Sequence, residues 1–230
     1  MREIVLDTET TGISPDEGHR LVEIGCVELE NHVPTGRTFH VYINPERDMP
    51  EGAFRVHGLS EEFLSDKPKF AEVADDFVAF ISDAPLVIHN AAFDMGFLNA
   101  ELKRSGRHVL PPSQAVDTLA IARKKFPGAQ NSLDALCRRF NVDNSNRVKH
   151  GALLDSELLA EVYLELIGGR EPGLSLAADT VSGTDEAGRI AHVRRPQRPE
   201  KLPSLLTAEE REAHAAFVAT LGETTLWKEI

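Results

Sequence analysis

The first apolar run, Glu3-Ile4-Val5-Leu6-Asp7, is hydrophobic at consecutive positions, so both faces of an extended segment would be buried. That pattern predicts a strand in the middle of a sheet. Leu21 to Leu29 (LVEIGCVEL) and Thr38 to Ile43 (TFHVYI) read as two further strands, and the turn-rich stretch Asn31 to Gly36 between them predicts a hairpin. The period changes at Phe70, where Phe70, Val73, Phe77, Val78 and Ile81 share one side of a helix. Leu86-Val87-Ile88 reads as a short buried strand. Helices follow over about Ala92 to Arg104, Asp117 to Lys125, Ser132 to Phe140 and Leu153 to Ile167. Hairpin strands first, then alternating helix and strand, predict an α/β fold with a mixed sheet and helices packed on its faces.

Gly168-Gly169 stops the last of these helices. Residues 171–203 are rich in Gly, Pro, Ser, Asp and Arg, and predict a flexible linker. Thr207-Ala208-Glu209-Glu210 then has the form of a capping box. His214, Phe217, Val218 and Leu221 follow at helical spacing, and the chain's only tryptophan is Trp227. The expected division is a folded domain over 1–170, a linker over 171–203 and a C-terminal segment over 204–230. A helix of about 14 residues is marginal by itself. The segment therefore reads either as a docking peptide with an aromatic anchor, or as a helix that folds back onto the domain.

Charge changes the picture. The 230 residues carry 25 Lys and Arg against 37 Asp and Glu, a formal net charge of −12. Phosphate binding usually rests on Lys and Arg. If this chain binds nucleic acid, the affinity must come mostly from bound cations and a partner protein; otherwise the charge serves solubility. Cys26 and Cys137 lack metal-ligand spacing and fit a reducing compartment. No apolar run is long enough to cross a bilayer, and Met1-Arg2-Glu3-Ile4 runs directly into a strand pattern without a leader. The expectation is a cytoplasmic protein.

Three places carry candidate chemistry. Asp7 and Glu9 are two apart on a strand and face one side. Two adjacent carboxylates there either reach water beyond the strand end or share a cation. Asp94, in His89-Asn90-Ala91-Ala92-Phe93-Asp94, falls where a strand ends and a helix begins. A carboxylate suits that helix dipole, so Asp94 reads equally as an ordinary helix-start residue. Asp155, in His150-Gly151-Ala152-Leu153-Leu154-Asp155, heads the stripe Leu158, Leu159, Val162 and Leu166, where an unpaired carboxylate would be costly. His150 lies just before this helix and could reach the same spot or stay in a surface loop. Four carboxylates balance two Mg²⁺ ions, and all-oxygen ligation favours Mg²⁺ or Mn²⁺ over Zn²⁺.

DTETTG (Asp7 to Gly12), HNAAFDMGFL (His89 to Leu98) and HGALLD (His150 to Asp155) resemble the three ordered motifs of the DEDDh 3′→5′ exonucleases. The resemblance runs from about Glu3 to Gly169. It implies an RNase H-like, mixed five-stranded sheet flanked by helices, with Asp7, Glu9, Asp94 and Asp155 as ligands of two divalent ions and His150 as general base. Asp7 and Glu9 would also meet substrate. His57 matches a family position near the bound nucleotide, with a turn histidine as its alternative. Thr10 and Asn90 either contact substrate or tie strand ends to neighbouring backbone. FHVYINP, VHGLSEEFL, KPKFAEVADDF, ARKKFPGAQNSLDALC and LLAEVYLELIGG are similar to stretches of the proofreading subunits of bacterial DNA polymerase III. This implies action on DNA 3′ ends and docking of 204–230 on the polymerase alpha subunit. Gly173-Leu174-Ser175-Leu176-Ala177 weakly resembles a sliding-clamp-binding peptide, with a plain apolar patch as its rival. The alternatives to weigh are an exoribonuclease of the same family and a catalytically silent scaffold between polymerase and clamp.

Overall fold

A computed structural model describes residues 1–147, 149–168 and 206–221. Its strands are β1 (Arg2–Thr10), β2 (Leu21–Glu30), β3 (Val33–Tyr42), β4 (Leu86–Ile88) and β5 (Ala115–Asp117). They form one mixed sheet in the order β3-β2-β1-β4-β5. β1 pairs antiparallel with β2 and parallel with β4, so the first apolar run is indeed an interior strand. The helices are α1 (Glu51–His57), α2 (Glu61–Leu64), α3 (Phe70–Ile81), α4 (Ala91–Arg104), α5 (Thr118–Lys125), α6 (Leu133–Phe140), α7 (Ala152–Leu166) and α8 (Ala208–Thr220).

Alternation along β1 divides the interior into two cores. Ile4 and Leu6 pack with Ile24, Phe70, Phe77 and Phe97 on the α3/α4 side. Val5 packs with Val27, Leu136, Leu158 and Leu159 on the α6/α7 side. Full burial of each such aliphatic side chain contributes about 1.5–3 kcal/mol. Asp7 and Glu9 continue the odd-numbered positions, so they point to the side where α7 packs.

Several boundaries differ from the sequence pattern. β3 begins at Val33, not Thr38, because the hairpin reverses in two residues: Asn31 and His32 both have positive φ, 51° and 66°. A two-residue turn of that kind matches strand twist. Pro34 is tolerated because β3 is an edge strand. Asp117 ends β5 and caps α5, accepting from the N–H groups of Leu119 at 2.9 Å and Ala120 at 3.3 Å, so the helix starts one residue later than its apolar pattern. β5, α1 and α2 do not show in the hydrophobic pattern, because each is too short to display a period.

Backbone contacts divide the chain into Met1–Leu174 and Ser175–Ile230. In the second unit Thr207 and Glu210 form the capping box of α8, and Phe217 and Leu221 are 60% and 50% exposed. The whole linker over 171–203, with the 173–177 stretch in it, and Trp227 lie outside the described residues. Among the described residues no helix is long and apolar enough to cross a membrane.

Candidate active site

Two features bring distant segments to the C-terminal half of β1. The first is the parallel β1/β4 pairing, after which α4 starts at Ala91 with Asn90 in the left-handed region at φ 70°. This sets Asp94, 3% exposed, beside β1, where Thr8 Oγ1 donates to Asp94 Oδ1 at 2.7 Å. The second is the close approach of α7 to β2 at Gly25, the residue paired with Asp7. A Cβ on Gly25 would overlap the backbone of Ala152 and Leu153. Ser156 Oγ also donates to the Gly25 carbonyl at 2.9 Å. The start of α7 is thereby held against the sheet, with Asp155 2% exposed at the head of the predicted stripe.

Glu9, His150 and Asp155 form the tightest group, each offering a ligand atom within 4.8 Å of the others. Asp7 borders the same cavity as His150 and Asp155. Asp94 acts from the α4 side, and its charge is the leading electrostatic influence raising Asp7. Two hollows flank this group. One, of about 750 Å³, is bordered by Asp7, Asn90, Arg123, Asn131, Arg147 and His150. The other, of about 430 Å³, runs along Thr8 to Ile13 and is closed by Val56, His57 and Phe93.

The remaining expected residues are placed as follows. His57 is buried; its Nδ1 accepts from Leu59 N–H at 3.0 Å and its Nε2 has no hydrogen-bond partner among the described residues. Burial pulls its pKa down. Thr10 Oγ1 donates to the Gly12 carbonyl at 2.6 Å, and Asn90 N–H donates to Asp117 Oδ1 at 3.2 Å, so both tie backbone together while bordering the hollows. His150 is 47% exposed, and its backbone N–H donates to Val56 O at 3.2 Å, which links its loop to α1.

Electrostatics sets this group apart from every other buried acid. Glu28 pairs with Arg2 at 2.6 Å and Arg37 at 3.1 Å, Glu101 with Arg20 at 2.5 Å and Arg104 at 3.2 Å. Glu3 meets His32 at 2.6 Å, and Glu23 meets His40 at 2.7 Å. No described cation forms an ion pair with Asp7, Glu9 or Asp94. Burial, then the charge of Asp94, pushes Asp7 well above the carboxylate range. Burial, then Asp155, raises Glu9 to about 8. Burial raises Asp94 to about 7 despite the Thr8 hydrogen bond. Asp155 alone stays below its ordinary value: burial pushes it up, but the Arg147 guanidinium bonded to its oxygens, with His150 nearby, outweighs that. Arg147 Nε and Nη2 reach its two oxygens at 2.5 and 2.6 Å. Neither Arg147 nor Asp134, which Arg147 also meets at 2.9 Å, was legible as part of the site. Arg147 lies in a loop without periodicity, and its only signal was nearness to His150.

The donor set fits divalent cations. Three acids with no described cation paired to them, beside a fourth, would be stabilised by hard cations, and oxygen donors match Mg²⁺ or Mn²⁺ chemistry. A mixed five-stranded sheet flanked by helices, with clustered acids and a histidine at its central strand, fits a nuclease. The sequence matches the family model described as Exonuclease over residues 4–163. It is 52% identical over 229 residues to a DNA polymerase III subunit epsilon of Rickettsia felis, covering 97% of this chain and 98% of that one. It is 47% identical over 238 residues to the subunit of the same name from Escherichia coli, covering 99% and 97%. The fold is similar to the nuclease domain of 3′hExo, a DEDDh family member solved bound to rAMP, with a TM-score of 0.63 at 19% identity over 72% of this chain and 91% of that chain. The chain belongs to the exonuclease family and, within it, to the DNA polymerase III epsilon subunits. Members of this exonuclease family depend on divalent metal.

Proposed function

We propose that this chain removes nucleotides one at a time from DNA 3′ ends as the proofreading subunit of a replicative polymerase. The observation that carries the reading is the gathering of Asp7, Glu9, Asp94 and Asp155 with, among the described residues, one permanently charged side chain, Arg147, ion-paired within the group. These four acids would hold two divalent ions, Mg²⁺ or Mn²⁺. Bound there, the pair would lower the pKa of water and neutralise charge on the leaving 3′-oxygen. His150, half exposed beside the group, takes the proton of the attacking water, as a positioned imidazole can.

The 430 Å³ hollow between the Thr8–Ile13 edge and α1 receives the terminal nucleotide. His57, through the unpartnered Nε2, and Thr10 meet it there, and Asn90 meets substrate from the larger hollow. Asp7 and Glu9 would meet substrate through the ions they would hold. The products are a nucleoside 5′-monophosphate and a strand shortened by one. Selectivity for errors needs no reading of the base, because a mismatched end unpairs at lower cost than a matched one.

The acidic chain gains its hold on DNA from the cations and from tethering to the polymerase. Exposed Phe217 and Leu221 on α8 support 204–230 as the segment that docks on the alpha subunit. The 173–177 stretch is the candidate clamp contact. Location in the cytoplasm follows from work beside the replicative polymerase.

Digestion of matched and mismatched primer ends with Mg²⁺, with and without chelator, tests the whole reading. Mononucleotide release that is faster from mismatched DNA and abolished by chelator is expected. Equal release from single-stranded RNA would instead favour an exoribonuclease, and no release at all would leave a scaffold.

A further inference from the structure

Arg147 occupies an unusual position. Its side chain is 7% exposed and lies in the loop between α6 and α7. Its planar fork engages both oxygens of Asp155, at 2.5 and 2.6 Å, which is the strongest pairing a guanidinium makes. Its remaining terminal nitrogen, Nη1, donates to Asp134 Oδ1 on α6 at 2.9 Å. Nη2 also lies 2.8 Å from His150 Nδ1. A guanidinium can only donate, so the lone pair of His150 Nδ1 is taken by Arg147. One side chain therefore engages both an acid and the histidine that the reaction needs.

We infer that Arg147 is a stand-in cation that fills the place of a divalent ion at Asp155 in the metal-free protein. Metal loading requires it to release Asp155 and His150 and to rest on Asp134 alone. This rests on the metal-site reading above. Charge gives the exchange its direction. Arg147 supplies one positive charge to four acids and leaves Asp7, Glu9 and Asp94 without a pair, whereas two divalent ions supply four. Asp134 is 43% exposed and sits outside the cluster, so it can keep the released guanidinium. The arrangement protects the metal-free fold from an unpaired Asp155 and opposes metal binding by the strength of the displaced pair.

Mn²⁺ titration of the full chain by calorimetry, without DNA, tests this. Arg147→Ala is expected to bind Mn²⁺ about tenfold more tightly than wild type, since a charged hydrogen-bonded pair no longer has to be broken. Asp134→Asn is expected to bind several-fold more weakly, because the released guanidinium loses its resting place. In the Asp134→Asn/Arg147→Ala double variant that weakening is expected to vanish. Opposite signs from two partners of one ion pair are not the result of a merely structural role. If Arg147→Ala does not fold, Arg147→Lys, which keeps the charge but loses the fork, is expected to tighten binding by a smaller factor. A folded Arg147→Ala that binds Mn²⁺ equally or more weakly overturns the stand-in role. An Asp134→Asn effect that persists in the double variant overturns the resting place. Wild type and Asp7→Asn binding Mn²⁺ identically would overturn the metal-site reading itself, a separate failure.

Discussion

Gly25 on β2 and Ala152 at the start of α7 touch backbone to backbone, and no side chain fits between them. Gly25 pairs with Asp7, and Ala152 lies one helical turn before Asp155. The contact is therefore the strut that sets the distance between two of the site's acids. Its φ is not in the left-handed region, so glycine is required here for close approach and not for turn geometry.

Gly25→Ala is expected to push the start of α7 away from the sheet. Overpacking of this kind costs about 1–3 kcal/mol of stability. The displacement carries Asp155 and His150 with it, and a misplacement of about 1 Å can cost about 10²-fold in rate. The expected result is a folded protein by circular dichroism with turnover reduced more than stability. Wild-type turnover in this variant would show that the strut does not set the geometry.

Asp7→Asn is expected to abolish nuclease activity while raising the melting temperature of the protein in chelator. The gain in stability follows from burial and three neighbouring acids, all of which disfavour the Asp7 carboxylate. Differential scanning calorimetry in chelator checks the sign; a lower melting temperature would mean that Asp7 is stabilising without metal.

Stability of the metal-free protein is expected to fall as pH rises from about 5 to 8. Glu9 and Asp94 keep their protons to about 8 and about 7 in the fold. Unfolded, they release them near the ordinary carboxylate values of about 4. The folded state therefore binds more protons across that window, and the stabilisation is lost as pH climbs through the folded values. Asp155, held low, works in the opposite sense, but it is one group against three. Urea midpoints at pH 5 and 8 measure this. Addition of Mn²⁺ is expected to flatten the difference, and a midpoint that rises with pH in chelator would contradict the cause assigned here.

His150→Ala is expected to lose less activity than the Asp variants, about 10²–10⁴-fold, as a lone general base contributes. Its pH–rate profile should also differ in shape from wild type. A pH–rate profile parallel to wild type would remove His150 from the proton transfer.

Phe217→Ala is expected to leave digestion of free DNA unchanged and to weaken association with the polymerase alpha subunit by about 2 kcal/mol, as an aromatic anchor would. Size-exclusion co-elution and surface plasmon resonance read both halves. Unchanged affinity would move the docking surface elsewhere.

The placement of Asp155 was legible because its offsets to Leu158, Leu159, Val162 and Leu166 already put it on a buried face, and all four are buried as expected. Asp7 and Glu9 were legible as a pair from strand alternation. The start of β3 is not legible in the sequence because Asn31 and His32 turn in two residues, a backbone event that composition over a six-residue stretch does not resolve.

By itself, the order of residues determined the types of the longer strands and helices, the interior position of β1 and which four acids could act together. Those follow from period and local chemistry, which act between near neighbours along the chain. Tertiary structure alone decided that Asp155 meets Arg147, that Gly25 admits the backbone of Ala152, and that three of the acids have no ion-pair partner among the described residues. These depend on contacts between separate elements, and the energy of burying a charge is defined only once the walls around it are in place.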